Sequence, residues 1–392
     1  MDISLSDDQQ MLVDSARGFL RDNCPLATVR QWEKLPLRYP PEFWAQLAAM
    51  GWAGVVYPEA YGGMGLANLD MALLMREMGR VALPSPILST VLLAGRCVLE
   101  AGSEARRQAL LPRIVGGELL MSFAFIEASA QPDAATVRTI ARTDGGGWVL
   151  NGTKHFVEYA EQAELMLVVA RTRGDTRPER GLTMFLVEAR APGIRYEPLQ
   201  TLALQPQARV VLENVRVGPE AVVGEIDQAW PVLDGVIQAA TAILCAYLTG
   251  IAEGAHELGV DYSKERVQYG QPIGAFQAIQ NYLATSWAKN VMGEYLGYYA
   301  AWLIDQGMPG REAVSTAKAF VGYSAVESTQ LATQLHGGLG ATVDARTTPF
   351  LRWAKQLQQT LGNSQYHEKI VATQILDQEP PRLDEKYSIA LT

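Results

Sequence analysis

Apolar positions along this chain change their period twice, and the changes divide it into three blocks. Up to about residue 118 the spacing is helical. Ser6 and Gln9 make a capping-box pair ahead of Leu12, Ala16, Phe19 and Leu20, which fall on one helical face. EFWAQLAAMG, after Pro40 and Pro41, predicts a short helix with a glycine stop, and LDMALLMREMG, after YGGMG, predicts another. From about 119 to 225 the runs shorten: GWVLNGTKHFV, AELMLVVAR, LTMFLVEA and ARVVLENVRV are rich in Val, Leu and Phe and are separated by turn residues. These predict a β-barrel or sandwich domain, with Asn151-Gly152 as a two-residue hairpin turn. From about 226 to 376 long helical stretches return, with few prolines and with elbows at GQPIG and HGGLG, which predicts a four-helix bundle. Residues 377–392, DQEPPRLDEKYSIALT, predict an extended or poorly ordered end. The fold class expected is α+β and multidomain: an N-terminal helical domain (1–118), a β domain (119–225), a helical bundle (226–376) and a tail.

The glycine elbow QLHGGLG, Gln334 to Gly340, follows the helical stretch VESTQLATQ and not a strand, so a Rossmann phosphate loop does not fit it. On the residues alone, Gly337, Gly338 and Gly340 can equally end one helix and turn the chain into the next.

Composition narrows the field of functions. The 392 residues carry 33 basic and 42 acidic side chains, a formal charge of −9, with no run of Lys and Arg to track a phosphate backbone, so nucleic acid is not expected as a partner. Cys24, Cys97 and Cys245 are far apart, which suits reduced thiols and the cytoplasm. His155, His256, His336 and His367 are scattered as well, so neither a metal cluster nor a Ser-His-Asp triad is expected. The start MDISLSDDQQ lacks the layout of a signal peptide. VIQAATAILCAYLTGIAEGA, from Val236, is the most membrane-like stretch, but Gln238, Thr241, Thr249 and Glu253 interrupt it. It reads as a buried bundle helix, and no membrane partner is expected.

Helices, then strands, then a long-helix bundle is the order in which specific strings now line up. YPEAYGGMG (57–65), NGTKHFV (151–157), GLTMFLVEARAPGI (181–194), ERVQYGQPIGAFQAIQ (265–280) and QLHGGLG (334–340) resemble the acyl-CoA dehydrogenase family over nearly the whole chain. The resemblance implies an FAD enzyme, usually a dimer of dimers, that desaturates the Cα–Cβ bond of a CoA thioester: a carboxylate removes the α proton and the flavin takes the β hydride. It also implies an FAD that lies across a subunit interface, with its ring in one chain's β domain and its adenine and pyrophosphate against the neighbour's bundle. Residues carried over to that far end are Arg266, Gln277, Gln334, Gly337, Gly338 and Gly340; Phe156 is carried over to the ring. Glycines let backbone N–H groups approach a pyrophosphate, and Arg266 adds a charge-assisted contact.

The ring-side motifs depart from the family. Where the family reads threonine, glutamate, proline, glycine, serine, aspartate, this chain reads IEASAQPD (126–133): Glu127 and Asp133 survive, but the threonine is Ile126 and the serine is Pro132, neither with a side-chain donor. In KHFVEY, Lys154 and Phe156 fit, while the threonine beside the flavin is Glu158 and the asparagine is Tyr159. The two seats of the catalytic base hold Leu361, before Gly362, and Ala240; Thr241 stands where a CoA-contacting arginine is common. Glu158 is expected to be solvated or salt-bridged, with a relocated catalytic base as the alternative, and Glu127 and Glu368 are expected to be structural.

Ring-side features are altered while far-end features remain. This division predicts a base-lacking subunit of a heteromeric acyl-CoA dehydrogenase that donates half of an FAD site to a homologous catalytic chain. Acyl-CoA, in a steroid side-chain class by analogy, would be met mainly through that chain, and an electron-transfer flavoprotein or similar protein would be the acceptor. The competing readings are a self-sufficient flavoenzyme of the same fold, such as a monooxygenase, and a non-enzymatic scaffold.

Overall fold

The computed structural model describes residues 5–376, so the expectation for 377–392 lies outside the described residues. The first block is helical: α1 Asp7–Asn23, α2 Leu26–Trp32, α3 Pro41–Ala49, α4 Asn68–Arg80, α5 Arg96–Ala101 and α6 Glu104–Val115. The capping box is present at the start of α1. The Gln9 backbone N–H donates to Ser6 Oγ at 3.2 Å, and the Ser6 N–H donates to Gln9 Oε1 at 3.1 Å. Between α4 and α5 lies a wholly buried π-helical segment, Ile87–Gly95, which the apolar pattern did not announce. Its wide turn is pinned from both sides: Tyr57 Oη donates to the Val91 carbonyl at 2.7 Å, and Thr90 Oγ1 to that of Met121 at 2.8 Å.

The middle block is a mixed eight-stranded sheet: β1 Met121–Ala124, β2 Ile140–Asp144, β3 Gly147–Glu158, β4 Leu165–Arg171, β5 Leu182–Glu188, β6 Ile194–Leu199, β7 Gln207–Val217 and β8 Val222–Val223. The order is β6-β7-β3-β2-β4-β5-β8, with β1 parallel to β4. Alternation along β4 serves two cores. Met166, Val168 and Ala170 join Leu150, Phe185, Val210 and Val215 in a core private to the sheet, whereas Leu167 and Val169 face the helices. The Asn151-Gly152 hairpin is corrected: the pair lies inside β3, and the turn from β2 falls at Gly145 and Gly146, both at positive φ. Gly152 instead marks a bulge, where the register against β7 slips after Leu150 and a Cβ would lie 2.4 Å from Thr139 Oγ1.

The third block holds α7 Trp230–Glu265, a two-stranded elbow (β9 Val267–Gln268, β10 Gln271–Pro272), α8 Gln277–Asp305, α9 Arg311–Leu335, α10 Thr348–Gln359 and α11 Ser364–Leu376. Three helices are long, and the fourth place in the bundle is shared by α10 and α11. They part at Leu361 and Gly362, whose φ values of 55° and 97° no helix accommodates. The apolar stretch from Val236 is the buried middle of α7. There α4 crosses it with backbones in contact: a Cβ on Gly79 would lie 2.1 Å from the Tyr247 carbonyl oxygen, and one on Gly250 2.0 Å from that of Arg76. Fully buried Glu253 faces this crossing and pairs with Arg76 at 2.7 Å and with Arg80 at 2.9 Å.

Candidate functional site

A cavity of about 590 Å³ opens where the π-helical segment, the sheet and α10 meet. Its apolar wall includes Leu88, Leu93, Phe123, Ile126, Phe156 and Leu361, and its polar groups include Ser89, Glu158, Gln207, Lys355 and Gln356. The volume suits a small organic ligand.

The end of β3 places Phe156 and Glu158. Between Lys154 and Val157 the register against β7 slips, and Phe156 takes φ 54°, which leaves its ring 49% exposed at the cavity. The strand is held on both sides of the slip. The His155 N–H donates to the Ile126 carbonyl at 2.8 Å, and Lys154 turns inward to donate to Glu127 Oε1 at 2.7 Å and to the Phe125 carbonyl at 3.2 Å. Glu127 also accepts from the Arg138 and Thr139 N–H groups and from Thr139 Oγ1, at 2.8–2.9 Å. Burial works to raise the Glu127 pKa, but Lys154 and the Thr139 donors outweigh it and hold the carboxylate below its ordinary range. Glu127 is thus a clamp on the strand.

Glu158 departs from expectation. It is neither solvated nor salt-bridged: only 8% of it is exposed, Oε2 has no hydrogen-bond partner, and among the described residues no cation pairs with it. Burial pushes its pKa up to about 7, against a smaller lowering from Gln205. Gln205 is itself fixed from α10, where Gln356 Nε2 donates to its Oε1 at 2.7 Å. The motif KHFVEY showed the glutamate but not this surrounding, because Gln205 and Gln356 lie far away in sequence and carry no motif of their own.

Leu361 reaches the cavity, in the break between α10 and α11. That break is anchored by residues the motif reading missed. Lys318, fully buried on α9, donates to the carbonyls of Leu357, Gln358 and Gly362 at 2.9–3.0 Å, and His367 Nε2 lies 3.0 Å from the Leu361 carbonyl. Burial pushes the Lys318 pKa down to about 8 and the His367 pKa to about 4, with Lys318 adding to the second effect. A lysine on the same α9 stripe as Val314, Val321 and Ala325 was the available signal. Ala240 is buried within α7 and does not line the cavity, and Thr241 Oγ1 is occupied by the Ile237 carbonyl at 2.7 Å.

The remaining carried-over residues lie elsewhere, at the end of the bundle where α7 and α9 finish. Tyr262 of α7 stacks on His336 at 4.2 Å and brings the two helix ends together. Arg266 caps α7 and is exposed; Gln277 opens α8, Gln334 lies in the last turn of α9, and both are exposed. Gly337, at φ 57°, and Gly338 have open space where a Cβ would stand. Gly340 serves its own chain: its N–H donates to the Gly337 carbonyl at 3.0 Å, and a Cβ would lie 2.1 Å from the Thr333 carbonyl oxygen. None of these six lines the cavity that holds Phe156.

Comparison with known proteins places the whole chain. Family models match it in order: acyl-CoA dehydrogenase N-terminal domain over 6–118, middle domain over 122–215 and C-terminal domain over 230–376. It is 30% identical to the acryloyl-CoA reductase (NADH) of Anaerotignum propionicum over 383 residues, 96% of either chain. The structure of butyryl-CoA dehydrogenase from Megasphaera elsdenii superposes with a TM-score of 0.88 at 26% identity, covering 96% of this chain and 100% of that one. A variant of the Tcur3481-Tcur3483 steroid ACAD does so with a TM-score of 0.84 at 29% identity, covering 95% and 99%. With its helical, sheet and helical parts all matched in sequence order, this chain belongs to the acyl-CoA dehydrogenase family.

Proposed function

We propose that this chain is a subunit of a heteromeric, FAD-dependent acyl-CoA dehydrogenase, lacks the catalytic base, and donates the adenine-side half of an FAD site to a homologous catalytic chain. The observation that carries this reading is the contrast between its two ends. On the cavity wall Ile126 supplies no side-chain donor and Glu158 sets a carboxyl group, and the serine position of the same motif is Pro132, again without a donor. This half does not fit a flavin ring as the family holds one. At the bundle end, the exposed Arg266 guanidinium and the open faces of Gly337 and Gly338 fit an anionic pyrophosphate.

Desaturation of a CoA thioester needs a hydride acceptor, which FAD supplies when bound, and a carboxylate for the α proton, which Leu361 and Ala240 do not supply. In the assembled enzyme, Arg266, Gln277, Gln334 and the 337–338 backbone would bind and orient the far end of the cofactor. The catalytic chain would hold the thioester and take its proton. The likeness to a steroid ACAD supports a steroid-linked CoA thioester as the substrate class, and an electron-transfer flavoprotein or similar acceptor would reoxidise the complex.

A self-sufficient flavoenzyme of the same fold would need this chain to hold its own flavin ring, and Ile126, Pro132 and Glu158 argue against that. Arg266→Ala, co-purified with the catalytic chain, separates the readings. The trans-acting role predicts an intact complex that has lost most of its FAD, whereas full flavin content in that complex refutes it.

A further inference from the structure

The loop that follows Gly337 and Gly338 is clamped from the N-terminal domain by one side chain, and we propose that this residue, Arg30 on α2, is a positioning residue for the FAD site offered at the bundle end. The inference rests on the reading that this end holds the adenine side of a neighbouring chain's FAD. Arg30 stands in the last turn of α2. Its guanidinium donates to the Asp344 carbonyl at 2.5 Å and to the Val343 carbonyl at 2.9 Å, 314 and 313 residues away in sequence. The Asp344 carboxylate lies further off, at 3.4 Å.

Little else holds that loop. Residues 337–339 and 341–344 are exposed, so apolar packing does not fix their place. Their other hydrogen bonds are local. The Leu339 carbonyl accepts from the Thr342 N–H at 3.1 Å and from Thr342 Oγ1 at 2.8 Å, and the Thr342 carbonyl accepts from the Ala345 N–H at 3.2 Å and from Thr348 Oγ1 at 3.1 Å. Among the described residues, Arg30 alone donates to residues 337–347 from outside the loop and α10.

A clamp at this point has a chemical consequence for an anion. An open glycine pair receives a pyrophosphate through backbone N–H groups, and a carbonyl oxygen turned to the same place opposes it. Arg30 engages two successive carbonyls, and the Thr342 turn beside them engages that of Leu339, so the stretch after the glycines keeps one form. A planar guanidinium spans both carbonyls at once, which an ammonium group does not. A site held in its binding form binds more tightly than one that must select that form, because apparent affinity falls with the fraction of molecules that are competent.

The test uses the assembly with the homologous catalytic chain, stripped of flavin and titrated with FAD. Arg30→Met should weaken FAD about five- to twentyfold, with the mass of the assembly unchanged. Arg30→Lys, which reaches one carbonyl at a time, should recover part of the loss. Asp344→Ala should bind FAD normally, since the clamp runs to the carbonyls. In the lone chain, Arg30→Met should speed amide exchange over residues 339–345, a readout that needs neither partner nor flavin. A lower Tm with unchanged FAD affinity would make Arg30 a merely structural contact and overturn the proposal. So would unchanged exchange in the lone chain, or an Asp344→Ala defect as large as that of Arg30→Met. Arg266→Ala, measured in parallel, keeps the two ideas apart. If it loses FAD while Arg30→Met does not, only the clamp falls; if neither variant weakens FAD, the reading on which it rests falls too.

Discussion

Replacing Glu158 by Gln should stabilise the protein above neutrality and leave it nearly unchanged in acid. Burial raises the carboxyl pKa from its ordinary 4.5 to about 7, so between those values the folded chain holds a proton that the unfolded chain has released. Stability from this group is present below pH 4.5 and is lost as pH rises through 7. At about 1.4 kcal/mol per tenfold change, the full displacement corresponds to about 3 kcal/mol above pH 8 and to less than about 1 kcal/mol at pH 5. Glutamine cannot ionise and has nearly the same size and shape, so it removes the penalty without opening a hole. For a chain of this length, about 3 kcal/mol amounts to roughly 4 °C in Tm. Calorimetric melts of both proteins at pH 5 and pH 8 test this: the difference should be about 4 °C at pH 8 and should shrink to near 1 °C at pH 5. A uniform shift at both values, or destabilisation at pH 8, would refute the claim that Glu158 is an unpaired buried carboxyl.

Other perturbations probe the scaffold around the site. Lys318→Met removes the lysine donor from the Leu357 and Gln358 carbonyls at the end of α10 and from that of Gly362 in the break beyond it, and should cost about 2–5 kcal/mol, read as a lower denaturant midpoint. The loop that carries Leu361 should then exchange its amide hydrogens faster than the rest of α11. Gly250→Ala puts a methyl group 2.0 Å from the Arg76 carbonyl oxygen and forces α4 away from α7, at a cost of about 3 kcal/mol or more in the same assay. Leu361→Glu restores a carboxylate to the cavity wall but not the ring-side donors, so the lone chain should stay colourless and inactive toward acyl-CoA.

Legibility followed the range of the interactions. The three blocks could be read because helix and strand periods are local, and the Ser6–Gln9 box because it spans four residues. Asn151-Gly152 misled because a glycine that yields to a close neighbour, Thr139, looks the same in sequence as one that turns a hairpin. The π-helical segment escaped notice because all nine of its residues are buried and no face contrasts with another. Glu158 showed its identity but not its state, which depends on burial and on Gln205 and Gln356 from distant parts of the chain. At the bundle end the motifs named Arg266, Gln334 and the glycines as candidates, and the structure added that Arg266 and Gln334 are exposed, that Gly340 is tied to its own chain, and that Gly337 and Gly338 are open.

Flavin stoichiometry tests the central claim most directly. The chain is purified alone and together with a homologous chain that carries a glutamate in either vacant seat, and absorbance in the flavin bands is recorded with the mass of each assembly. The account predicts a colourless lone chain and about one FAD per pair in the mixed assembly. A yellow homo-oligomer with one FAD per chain would contradict it.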